Sequence, residues 1–164
     1  MVDSILDVKN LSGGYDDLLV VRDISLEIHS GQAISITGRN GVGKSTLLKL
    51  IFGNLKPYQG EVNFLNSNLE KIASHRRLDL GISYAPQENI VFDNLTLEEN
   101  LTLHYEESNL KHYQSLFEKF PRLRERLDQK AGTLSGGEKK LLSFSRVLAE
   151  PSKLILLDEP TEGV

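Results

Sequence analysis

The chain has 164 residues, 19 lysines and arginines against 23 aspartates and glutamates, a net charge of −4, 39% apolar residues and neither cysteine nor tryptophan. A chain of this length buries roughly 70% of the surface its unfolded form exposes, so one core suffices without disulfides or a structural metal, and thiol chemistry is excluded. Mild acidity with no block of like charge excludes a nucleic-acid binder that works mainly by neutralising phosphates, although it leaves local nucleotide binding open.

The N-terminus carries Asp3 and Asp7 and lacks the basic start and apolar core of a secretory signal, so a cytoplasmic protein is expected. Alternating apolar residues at Ile24, Leu26 and Ile28, at Ile34 and Ile36, and at Val62 and Phe64 predict strands. After Lys44, the residues Leu47, Leu48, Leu50 and Ile51 fall on one side of a 3.6-residue spiral, which predicts a helix ending near Gly53 and Pro57. Residues 96–130 read as two or three helices, with Leu97, Leu101 and Tyr105 at helical spacing and a break at Pro121. A further helix is expected from Ser135, with Leu141, Phe144, Val147 and Leu148 sharing a face and Pro151 after its end. The run 154–157 is apolar without alternation, as in a parallel strand covered on both faces, and is far short of the ~20 residues that span a bilayer. This order predicts a parallel α/β sheet with a mostly helical insertion over 88–133.

Gly38-Arg39-Asn40-Gly41-Val42-Gly43-Lys44-Ser45 fits G-x-x-x-x-G-K-[ST] between a predicted strand and a predicted helix, the setting in which this pattern cradles phosphates. The glycines let the backbone curl with its N–H groups inward, and the helix N-terminus adds the positive end of its dipole. Lys44 is placed to reach the β- and γ-phosphates, Ser45 to ligate Mg²⁺ and Thr46 to bond a nearer phosphate; the plainer alternative is an ordinary glycine-rich turn. Phosphoryl chemistry also needs a carboxylate at the end of a neighbouring strand. Asp158 supplies it after 154–157, and Glu159, one residue on, is placed to polarise an attacking water. Taken alone, Asp158-Glu159-Pro160 also reads as a turn closing a core strand. Between the two motifs lies Leu134-Ser135-Gly136-Gly137-Glu138, in which Ser135-x-x-Glu138 is a capping box before an apolar helix.

With these three elements together the sequence resembles the ATP-binding cassette (ABC) ATPases over its whole length. The resemblance implies an α/β P-loop NTPase: a RecA-like parallel core with a small antiparallel N-terminal β part, formed by 1–87 and 134–164, and a helical subdomain over 88–133. It implies ATP and Mg²⁺ as cofactors. ATP is then held by Tyr15, Gly38, Arg39, Asn40, Gly41, Val42, Gly43, Lys44, Ser45 and Thr46, with Tyr15 stacked on adenine, and Mg²⁺ by Ser45, Gln87 and Asp158. Glu159 is the catalytic residue, while Ser135, Gly136, Gly137 and Glu138 contact the ATP of the opposite subunit. Gln87, after Ile82-Ser83-Tyr84-Ala85-Pro86, resembles the Q-loop glutamine; outside the resemblance it is a strand exit, and Tyr15 a half-buried loop tyrosine.

Within the family, Phe120-Pro121-Arg122-Leu123, then Ala131-Gly132-Thr133 before the signature, and Asp158-Glu159-Pro160-Thr161-Glu162-Gly163 resemble ATPases of branched-chain amino-acid importers and their urea-type relatives. Lys139 and Lys140 stand where glutamines are common, and Gln87-Glu88-Asn89-Ile90 departs from that subgroup. The expected role is an ATP-hydrolysing, energy-coupling subunit at the cytoplasmic face of the membrane. Its expected partners are a second ABC ATPase subunit, identical or not, transmembrane permease subunits and, indirectly, a substrate-binding protein, with no nucleic acid. The alternatives are an ATP-binding fragment without turnover and a soluble ABC ATPase outside transport. The family's D-loop and switch histidine would follow Val164, and His29, His75, His104 and His112 all precede Glu159, so the chain alone is expected to hydrolyse ATP weakly or not at all.

Overall fold

A computed structural model describes residues 4–88, 90–103, 105 and 109–160. Asp3, Asn89, His104, Thr161, Glu162, Gly163 and Val164 therefore lie outside the described residues. The chain divides into two compact units, 1–83 with 152–158 and 84–151 with 159–164.

In the first unit, β1 (Ser4–Tyr15) and β2 (Leu18–His29) form an antiparallel hairpin that turns between Tyr15 and Leu18. β3 (Gln59–Phe64) pairs antiparallel with the other edge of β1, and β4 (Ser67–Asn68) follows, giving the order β2-β1-β3-β4. β1 escapes a period-two reading because its register shifts between Val8 and Leu11, where Asn10 takes φ 47°, so its buried residues Leu6, Val8 and Leu11 slip out of alternation. Its last residues, 11–15, are strand rather than loop. Gly13 packs so closely on the helix that follows the P-loop that a Cβ there would lie 2.7 Å from Leu50 Cδ2.

That helix, α1 (Lys44–Phe52), buries Thr46, Leu47, Leu48, Leu50 and Ile51 and ends at Gly53, whose φ of 87° suits a residue without a side chain. α2 (Ser74–Asp79) went unread in the sequence. It brings in Arg77, 5% exposed, which donates to the carbonyls of Ile51 and Leu69 at 2.7 Å and of Ile72 at 3.0 Å. Burial pulls its guanidinium below the ordinary value.

Of the core sheet, β5 (Ile82–Ala85) and β6 (Leu154–Leu157) are paired, and two expectations are corrected. No strand forms at Ile34 and Ile36, which are 50% and 38% exposed. Alternation gives a segment the character of a strand, but the ladder needs a neighbour, and none of the described strands runs beside it. β6 is covered on one face only: Leu154 and Leu156 are buried, whereas Ile155 and Leu157 are 37% and 36% exposed.

The second unit contains α3 (Leu97–Thr102), a 3₁₀ turn at Leu110–Tyr113, α4 (Gln114–Lys119), α5 (Pro121–Glu125) and α6 (Gly136–Leu148). Pro121 breaks the chain as expected, opening α5 where its missing N–H costs nothing, whereas Tyr105 falls beyond the end of α3. The core gathers Leu97, Leu101, Tyr113, Phe117, Leu134 and Leu142. The Tyr113 hydroxyl donates to the Leu101 carbonyl at 2.6 Å, and burial drives its pKa well above the usual phenol range. Asn100, fully buried, bonds the backbone of Phe92, Leu95 and Thr96 and so ties down the loop before α3. The buried side of α6 is not the expected stripe. Lys140, Leu142, Ser143, Phe144 and Ser145 are buried, while Leu148 is exposed. Ser145 goes inside because its hydroxyl is satisfied by the Leu141 carbonyl one turn back. No described helix is long and apolar enough to cross a membrane.

Candidate nucleotide and signature sites

In the first unit, residues 38–43 form a loop in which Gly41 (φ 80°) and Gly43 (φ 104°) take left-handed conformations that a side chain would oppose. Gly43 is also the N-cap of α1 and offers no side-chain acceptor, whereas Thr96 and Ser135 close α3 and α6 with full capping boxes. The first-turn amides of α1 have no acceptor within their helix, and they carry the positive end of its dipole toward the loop. Lys44 Nζ arches over that loop to the carbonyls of Gly38 and Arg39, at 3.2 and 3.3 Å. Ser45 Oγ donates to Asp158 Oδ1 at 2.9 Å, a contact between residues 113 apart in sequence. Asp158, 2% exposed, is held there by β6. Among the other expected ATP ligands, Arg39, Asn40 and Val42 are exposed on the loop and Thr46 is buried beneath it. Gly43 lies against Val20 and Val21 of β2, whose hairpin partner β1 ends at Tyr15, and Tyr15 is 41% exposed.

In the second unit, the Gln87 side-chain amide donates to the Glu159 carboxylate at 3.0 Å. Glu159 holds φ 48°, the left-handed region that a residue with a side chain seldom adopts. At the start of α6, Ser135 Oγ accepts from the Glu138 N–H, and the Glu138 carboxylate accepts from the Ser135 N–H and hydroxyl, both at 2.9 Å. The other Glu138 oxygen meets Arg126 Nη1 at 2.6 Å. The Ser135 N–H above all, then its hydroxyl and Arg126, hold the Glu138 carboxyl below its ordinary value. The box uses the amides of Ser135 and Glu138; Gly136 lies between them, with open space where a Cβ would stand. Two residues of this site carried no assigned role in the sequence. Arg126 gives no signal of its own, whereas Lys140, which reaches the Gln87 carbonyl at 2.8 Å, was marked as standing where glutamine is common.

Among the expected metal ligands, Ser45 and Asp158 meet in the first unit and Gln87 belongs to the second. A serine hydroxyl and one carboxylate are hard oxygen donors, the kind of partial set that Mg²⁺ completes with phosphate oxygens and water. Among the described residues, no three acidic or histidine side chains cluster to make a metal cage without that help.

The family described as "ABC transporter" matches residues 21–162. The chain is 38% identical to the probable branched-chain amino acid transport ATP-binding protein LivF of Archaeoglobus fulgidus, covering 96% of this chain and 68% of the relative. It is 35% identical to the high-affinity branched-chain amino acid transport ATP-binding protein BraG of Pseudomonas aeruginosa, over 98% of this chain and 70% of that one. It is also 35% identical to the lipopolysaccharide export system ATP-binding protein LptB of Haemophilus influenzae, over 98% and 69%. Among solved structures, the ADP conformation of MJ1267, an ATP-binding cassette of an ABC transporter, superposes with a TM-score of 0.80 at 30% identity, covering 99% of this chain and 71% of that one. A nucleotide-free cassette gives 0.81 at 28% identity, over 99% and 71%. The chain therefore belongs to the ABC transporter family of ATP-binding cassettes, with the α/β P-loop NTPase fold.

Proposed function

We propose that this chain is the ATP-binding, energy-coupling subunit of an ABC transporter, placed at the cytoplasmic face of a membrane through permease subunits and working as a dimer with a second cassette. The observation that carries the nucleotide assignment is the 2.9 Å hydrogen bond from Ser45 to Asp158, which joins the P-loop to the acid at the end of β6. Lys44, already arched over the loop, turns its ammonium to the β- and γ-phosphates, and the α1 amides receive the phosphate oxygens. Tyr15 stacks on adenine, and Ser45 and Asp158 would hold Mg²⁺, with Gln87 assigned to the same ion by the resemblance alone; when bound, the ion would neutralise phosphate charge. Glu159 accepts the proton of the attacking water as its oxygen bonds the γ-phosphorus and the bond to the bridging oxygen of ADP breaks. Ser135, Gly136, Gly137 and Glu138 offer the start of α6 to the ATP held by the partner subunit.

The test is calorimetry of Mg-ATP binding. Lys44→Ala removes a charge-assisted contact and is expected to lower affinity by roughly tenfold to a hundredfold; equal affinity in parent and variant would refute the assignment. For cargo, the likeness to LivF and BraG supports transport of branched-chain amino acids; import, and the alternative of urea, rest on the sequence resemblance alone. The likeness to LptB supports a second reading, lipopolysaccharide export. Copurification with the permease separates them, since that partner and not this chain holds the cargo.

A further inference from the structure

Lys140 is 3% exposed, yet its ammonium meets no carboxylate among the described residues. Among the described residues its ammonium has two partners: the main-chain carbonyl of Gln87 at 2.8 Å and the face of the Phe144 ring, 5.1 Å from its centroid. Burying a cation against one neutral carbonyl and one ring is a poor way to stabilise a core, because the desolvation cost is only partly offset. An unbranched apolar side chain in the same place would avoid that cost. The use of lysine here is better explained by what it grips. The carbonyl it holds belongs to Gln87, whose side-chain amide holds the Glu159 carboxylate at 3.0 Å. The other end of the connection is α6 itself, since Lys140 stands in the second turn after the Ser135 cap.

We infer that Lys140 is a positioning residue: it fixes the backbone of Gln87 to the signature helix, so that the start of α6 and the Glu159 carboxylate are held by one connected set of hydrogen bonds. The inference deepens the reading of Glu159 as the catalytic carboxylate and rests on it. By this route a displacement of α6, such as the docking of a partner's nucleotide at Ser135 and Gly136 would produce, is felt at Glu159 through Lys140 and Gln87.

The experiment compares the parent chain with Lys140→Met, which keeps the stem and removes the donor and charge, and with Lys140→Arg, which keeps both. Lys140 borders an open cavity of about 880 Å³, so the larger guanidinium has room. Hydrogen–deuterium exchange, thermal melting and ATP hydrolysis are read on the same samples. In Lys140→Met, amides of 84–88 are expected to exchange roughly tenfold faster or more while the melting temperature holds or rises, and Lys140→Arg restores protection. Hydrolysis in Lys140→Met is expected to lose kcat with KM for ATP within about twofold, again restored by arginine. Unchanged exchange at 84–88 in Lys140→Met would overturn the inference, as would a loss of protection spread over all of α6 with a lower melting temperature, which marks ordinary loss of packing. If the parent shows no hydrolysis, as is expected of the chain alone, the exchange data by themselves decide whether Lys140 positions Gln87, and the catalytic reading of Glu159 is tested apart from it.

Discussion

Glu159 sits on a left-handed backbone, φ 48°, directly after the buried Asp158. That conformation costs a residue with a side chain about 1–2 kcal/mol, while glycine adopts it freely at the expense of a more disordered unfolded chain. Glu159→Gly is therefore expected to leave stability unchanged or to raise it by up to about 1 kcal/mol while abolishing hydrolysis. Paired denaturation and ATPase measurements check this, and a large loss of stability would show that the carboxylate serves the fold. Glu138 makes the complementary case. Its carboxyl is held below the ordinary 4.5, so its contribution to the α6 cap is complete above that value and is lost as the pH falls through the lower folded value. Helix content followed by circular dichroism through the acid range should show this limb in the parent and lack it in Glu138→Gln. Gly136 sits between the two capping residues with open space around its missing Cβ. Gly136→Ala should thus fold at least as well as the parent, since alanine is the better helix former, yet weaken ATP-dependent dimerisation measured by light scattering.

Secondary-structure elements show where local pattern suffices and where it does not. α1 was legible because four apolar residues, a preceding P-loop and Gly53 all agree, and the structure buries those same four side chains. The Ser135 cap of α6 was legible for a similar reason, being a local, two-residue device. β1 was hidden by a bulge, and the buried face of α6 was misjudged because Lys140 finds its partner, the Gln87 carbonyl, only in three dimensions, while Ser145 is satisfied by the carbonyl one turn back. The motifs assigned Ser45 and Asp158 to one metal ion but gave no direct bond between them, and the Gln87–Glu159 bond and the grip of Lys140 likewise depend on side-chain directions that spacing does not encode. Arg77 illustrates the limit most plainly: nothing in the sequence marks a six-residue helix whose arginine collects three carbonyls. Arg77→Met strands those carbonyls in the interior and is expected to cost about 3 kcal/mol or more in urea denaturation, with the first unit affected. Leu142→Ala, at a position with no exposure in the core of the second unit, should cost about 2–5 kcal/mol.

Across the molecule, the phosphate loop and the capped signature helix belong to different compact units, each with its own buried side chains. The first unit also exposes Ile34, Ile36, Ile155 and Leu157, apolar residues of β character. Concentration-dependent self-association, read by sedimentation velocity, is the expected behaviour, and Ile34→Lys with Ile36→Lys should suppress it without loss of helix content. Residues 33–37 have a further bearing on nucleotide capture. They lead directly into Gly38 and form no ladder with any described strand, so no hydrogen-bonded neighbour strand holds them in place. Fixing each backbone residue costs about 1–2 kcal/mol of entropy at room temperature, a charge drawn against the enthalpy of the phosphate contacts. Titration calorimetry should accordingly record an exothermic association with an opposing entropy, and substitutions that stiffen residues 33–37 are expected to tighten ATP binding without touching a phosphate ligand.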